Sequence, residues 1–199
     1  MIDISFLRYI NMTTRSRSRT YAQQMGRFSQ LPRELQIEAW LRMDWEDREL
    51  VCTTRNAPSF CTSEDSWKEA MKGYKRDKSY DDDLLITSML TPIIDKIFKE
   101  TSGQGSKKYF SLETSDPDDD RIYVKASDKR EGLWKASEEY YKNHDKSLYH
   151  NAIIFYIWDH QYKGDDFSFD ELSKYVFKYM TDGSHGDDDY QIYRITMIE

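Results

Sequence analysis

The side chains able to do chemistry are few, and their spacing suits little of it. Cys52 and Cys61 are the two cysteines of the chain. With no secretory-type leader ahead of them they offer no disulfide framework, supply too few ligands for a structural zinc site and lack the local signature of a nucleophile. The four histidines, His144, His150, His160 and His185, do not show the i, i+4 spacing that sets two imidazoles on one helical face for a metal. Each reads as a surface or helix-end residue. Asp159 to Asp170 has the outline of a calcium loop, with Gly164 at its sixth position and an acid at each end. Lys163 would put an ammonium where an oxygen ligand is needed, and Asp166 replaces the apolar residue that packs such a loop, so calcium is not expected. The acid runs at 116–120 and 187–189 read as solvated turns, and no GxSxG, Walker or GxGxxG loop occurs. The expectation is a protein that is not an enzyme and holds no cofactor or metal.

Composition agrees with a folded binding protein. The 199 residues suffice for one domain or two small ones. A mean hydropathy of -0.86 would favour disorder, but 15% of the residues are aromatic, including five Trp and fifteen Tyr, and these can build a core with few aliphatics. A formal charge of -7 argues against non-specific nucleic-acid binding by the chain as a whole. The longest apolar run, Ala152 to Trp158, is far short of a membrane span, so a soluble protein in a reduced, intracellular setting is expected.

The elements that would position any site read as follows. Residues 1–30 hold five arginines against one acid, Asp3, and form a basic arm. It reads as a transit-type leader, a docking arm or a flexible tail, with Met12 as an alternative start. At Leu31-Pro32 a helix begins: proline suits the first helical position, and Glu34 complements the dipole. Leu35, Ala39 and Met43 recur every four residues, with Ile37, Trp40 and Leu41 widening the stripe. Asp44 and Ser63 are candidate caps for two more short helices, the second with Trp67, Ala70, Met71 and Tyr74 on one face.

Beyond the charged stretch Gly73 to Lys78, a helix bearing Ile86, Leu90, Ile93 and Ile97 is expected, kinked or split at Thr91-Pro92. Alternation then predicts strands at Tyr109 to Glu113 and Arg121 to Ala126, a helix capped by Ser127 or Asp128, and a buried centre over Leu148 to Trp158. Ser168 with Glu171 makes a capping box, Phe167 with Leu172 the matching staple, and Tyr190 to Ile198 a closing strand. The fold class is α+β, mainly helical, with three parts: an arm over 1–30, a three-helix module over 31–76, and a mixed helical domain with a small antiparallel sheet over 80–199.

The module carries a family likeness. Leu31-Pro32-x-Glu34-Leu35, then Met43-Asp44 and Asp47, then Cys52, Phe60-Cys61 and Trp67-Lys68, resemble the F-box, in the form found in large nucleocytoplasmic DNA viruses. The likeness covers about a fifth of the chain. Arg48 stands where the family usually has Leu, and Thr53 to Ser59, holding Pro58, is shorter than usual. The resemblance implies docking on a Skp-type adaptor of a cullin-RING ubiquitin ligase, with Leu31, Pro32, Leu35, Ala39, Met43, Leu50 and Trp67 supplying the docking surface or its support, while the C-terminal domain holds an unknown protein target in host cytoplasm. A plain three-helix piece of an ordinary core is the competing reading of the same spacing. The second functional expectation is a structural or assembly protein, such as a minor capsid-associated virion component, with neighbouring virion proteins as partners.

Overall fold

The computed structural model describes residues 27–43, 45–53, 57–72, 80–114, 121–144, 147–163, 167–182 and 194–198. The basic arm up to residue 26, Asp44, the charged stretch 73–79, the acid runs and His185 lie outside the described residues. The chain divides into two units, 1–74 and 75–199.

The first unit contains α1 (Arg33–Leu41), α2 (Trp45–Thr53), a 3-10 turn (Ser59–Thr62) and α3 (Glu64–Lys72). Pro32 is the N-cap of α1 and not its first helical residue, because its carbonyl already accepts the first helical bond, from Gln36 N at 3.0 Å. The Gln36 side chain reaches back to the Leu31 carbonyl at 2.9 Å and so fixes the entry of the chain. At α3 the Ser63 carbonyl takes the first helical bond from Trp67 N, and Glu64 and Asp65 occupy the dipole-favoured first turn. Aromatic rings fill the interior: Trp40 meets Trp67 edge-on at 5.4 Å and Phe60 at 5.5 Å, and Phe28 closes on Phe60 at 6.3 Å.

The second unit runs α4 (Tyr80–Glu100), β1 (Lys108–Glu113), β2 (Ile122–Ala126), α5 (Lys129–Tyr141), α6 (His150–Lys163), α7 (Phe169–Asp182) and β3 (Arg194–Ile198). The expected fold class, α+β and mainly helical with a small antiparallel sheet, is the one observed. The strands order β2-β1-β3, all antiparallel, so the closing strand joins the hairpin on the free side of β1. Helix α4 is not split at Pro92 as expected. The proline sits on the exposed side of a helix that packs against α5, α6 and α7, and this packing outweighs the one backbone bond lost. Asp83, in the first turn of α4, is buried and accepts the Trp158 Nε1–H of α6 at 2.7 Å. Burial raises its pKa above the ordinary carboxylate range, and the Trp158 hydrogen bond offsets part of that rise.

Helix α5 has Asp128 as its N-cap, with Oδ1 accepting from Glu131 N at 2.9 Å. Glu131 answers by accepting from the Ser127 backbone N–H at 2.7 Å and from the Ser127 hydroxyl at 2.5 Å. Gly132 on the same helix lets the sheet approach: a Cβ there would lie 2.8 Å from Ile195 Cδ1 of β3. At α7 one half of the expected box is present, Glu171 N donating to Ser168 Oγ at 3.4 Å, beside the buried pair Phe167 and Leu172. His144 stacks flat on Tyr140 at 3.8 Å and His160 lies over Tyr156 at 3.7 Å, each one turn along from its ring partner, while His150 is buried at the head of α6. Asp159 to Lys163, the first half of the calcium-like stretch, is helical.

Candidate functional site

Two side chains of the first unit show why the seven candidate residues divide into two sets. Trp67 is fully buried and donates its indole N–H to the Cys61 carbonyl at 2.8 Å, which satisfies its polar atom inside an apolar site. Trp40, also fully buried, receives the rings of Phe60 and Trp67, so the module has an aromatic centre of its own. Ala39 is buried beside it. Ala39 and Trp67 therefore support a surface and do not form one.

The other five candidate residues remain accessible. Pro32 is exposed, Leu50 is 41% exposed on α2, and Leu31, Leu35 and Met43 are half-buried. Spacing alone had given Trp40 a minor place at the edge of the α1 stripe; burial makes it the centre. Ala39 and Trp40 are the buried residues of α1, while Leu35, and Met43 beyond the end of the helix, are left at the margin.

Arg48 is the residue the sequence flagged without explaining. It is buried, its Nε donates to the Trp40 carbonyl at 3.0 Å, and its Nη2 donates to the Leu41 carbonyl at 2.5 Å. These carbonyls close α1, the Trp40 carbonyl also accepting from Met43 N at 3.1 Å, and the guanidinium acts as a further C-terminal cap supplied by the next helix. It also lies over the Trp40 ring at 5.4 Å. Arg48 thereby sets α2, and Leu50 on it, against α1.

The expectation for the cysteines is corrected. Cys52, in the last turn of α2, and Cys61, in the 3-10 turn, are joined as a disulfide across Cα atoms 5.4 Å apart. The nine-residue separation gave no local cue, because the approach is made by packing Phe60 under Trp40. The bond ties the end of α2 to the turn that receives Trp67. Besides Arg48, exposed helical ion pairs join Arg42 with Glu38, Lys68 with Glu64 and Lys72 with Glu69, each of small energetic weight.

Among the described residues no group of His, Cys, Asp and Glu is arranged to hold a metal ion, and no helix is long and apolar enough to cross a membrane. Comparison with protein families, curated proteins and solved structures finds no match to this chain.

Proposed function

We propose that the first unit is an F-box-like docking module and that the protein acts as a substrate receptor on a Skp-type adaptor of a cullin-RING ubiquitin ligase. One observation carries the reading. After Trp40, Phe60 and Trp67 have filled the interior, the Leu-Pro opening and Leu50 are left with apolar surface facing outward. A helical module with a self-sufficient centre and accessible Leu and Pro side chains fits helix-mediated docking, in which affinity comes from a few apolar anchors. The role is binding and not catalysis, and the second unit would present the target. Purified adaptor should be retained by the intact chain and released by Leu31→Ala with Pro32→Ala, or by Leu50→Asp. Equal retention by all three proteins, or none by the unchanged chain, refutes the assignment.

A second reading is favoured by the disulfide. Bonds of this kind persist in oxidising settings such as particle surfaces and are rare where thiols are kept reduced. An assembly component of a large virus particle would keep the Cys52–Cys61 bond and appear in purified particles in fixed stoichiometry by mass spectrometry. A receptor working in host cytoplasm would be absent from them.

A further inference from the structure

Helix α2 is the most loosely packed element of the first unit. Among the described residues α3 packs on both the 3-10 turn and α1, whereas α2 approaches none of its neighbours as extensively. Arg48, Val51 and Cys52 attach it: Arg48 donates to the Trp40 and Leu41 carbonyls, Val51 is fully buried, and Cys52 is bonded to Cys61. The candidate anchor Leu50, 41% exposed, lies between the first of these attachments and the other two.

The two ends of the disulfide are not equivalent. Cys61 is buried and is held without help from its sulfur, its N–H donating to the Pro58 carbonyl at 3.0 Å and its carbonyl accepting the Trp67 indole N–H at 2.8 Å. Cys52 is half-buried and sits in the last turn of α2, where helices fray first. An external thiol therefore reaches the bond from the Cys52 side. Opening it frees the end of α2 and leaves the 3-10 turn and the aromatic centre in place.

We propose that the Cys52–Cys61 bond is a reversible redox latch, which fixes the last turn of α2 and with it Leu50 when oxidised, and releases both on reduction by a dithiol. A thiolate of the dithiol attacks Cys52 Sγ and expels Cys61 as its thiolate, which takes a proton. The second thiol of the reductant then displaces Cys52, so two electrons and two protons pass to the cysteines and the reductant is left as a disulfide. Exchange with a disulfide oxidant runs the same steps backwards. The loop to be reclosed is short and Cys61 stays positioned, so reclosure is local. Disulfides found where thiols are kept reduced are usually transient and redox-sensing, and a latch of this kind makes docking strongest under oxidising conditions. That consequence rests on the adaptor-docking reading, whereas the release of α2 does not.

The test is hydrogen exchange of the full chain when oxidised, reduced with dithiothreitol and reoxidised, beside its affinity for purified adaptor in each state. Reduction should speed exchange of the amides of residues 50–53 about tenfold while the amides of α3 and the Trp emission hold, and reoxidation should restore the first pattern. Adaptor affinity should fall about tenfold on reduction, because the anchor is no longer pre-organised. Cys52→Ser with Cys61→Ser should give the reduced values with or without reductant. A bond that resists dithiothreitol in the folded chain, or unchanged exchange across α2, overturns the latch. So does loss of protection over the whole first unit with a red shift of Trp emission, which would mark a structural staple. Equal adaptor affinity in both states overturns the link to docking; no adaptor binding in either state refutes the docking reading, and the exchange pattern then decides the latch alone.

Discussion

Arg48 holds Trp40 at both ends, donating to its backbone carbonyl at 3.0 Å while its guanidinium lies over the indole at 5.4 Å. A buried charge is thus accommodated by becoming a cap of the preceding helix. Arg48→Leu should destabilise the first unit by about 2 kcal/mol, since two carbonyls lose a charged donor. Arg48→Lys should recover only part of this, because an ammonium lacks the planar fork. Urea titration of the full chain, following Trp fluorescence, would measure both. A Leu variant as stable as the parent would refute the capping account.

The Cys52–Cys61 bond closes a short loop, and chain-entropy arithmetic for a nine-residue separation gives about 2.5 kcal/mol. Cys52→Ser with Cys61→Ser should lower the melting temperature by several degrees, and a dithiol reductant should do the same to the parent and nothing further to the variant. The second unit should be unaffected. Parallel melting curves with and without reductant decide the matter.

Asp95 on α4 supplies a pH dependence of unusual sign. Burial lifts its pKa to about 7; the nearby Tyr149 hydroxyl opposes the rise and the charge of Glu138 adds to it. A carboxyl whose folded pKa lies above its unfolded value favours the folded state most at low pH, and that contribution is lost as pH climbs from about 4 through about 7. The chain should therefore weaken between about pH 4 and pH 7, and Asp95→Asn should flatten that slope. Denaturation midpoints across this range would show it, and an unchanged slope in the variant would exclude Asp95 as its source.

Glu131 behaves in the opposite sense. Burial would raise its pKa, but hydrogen bonds from Lys135 and from the Ser127 hydroxyl and backbone, with the Lys135 charge, hold it down to about 2. Its contribution is complete above the ordinary Glu range and disappears as pH falls from about 4.5 through about 2. Glu131→Gln should cost about 1 kcal/mol near neutrality, the usual weight of a cap, and remove the acid-side loss. Acid titration followed by circular dichroism would separate variant from parent.

The parts legible in the sequence were those written locally. Alternation located the hairpin within a residue at each strand start, Ser168 with Glu171 located α7, and the last strand was read from Tyr190 to Ile198 where β3 spans Arg194–Ile198. What escaped involves partners far apart in the chain. Nothing near Asp83 signals Trp158, and nothing near Cys52 signals Cys61, because packing between elements creates both contacts. Of the kink or split expected at Pro92 the split does not occur, because the local preference of proline yields to three neighbouring helices. At the candidate docking site the sequence named the residues but could not divide them: Ala39 shares a helical spacing with Leu35 and Met43, and only burial separates it from them.

The strand order carries a consequence for the newborn polypeptide. β1 pairs with β2, the next strand in the chain, but its other flank is completed by β3, which emerges from the ribosome only after α5, α6 and α7. Until then β1 has one side uncapped, and the pocket at Gly132 lacks the Ile195 methyl that fills it. During translation this half-made sheet is open to pairing with the wrong chain, so crowded synthesis should be the moment at which the protein is most prone to aggregate.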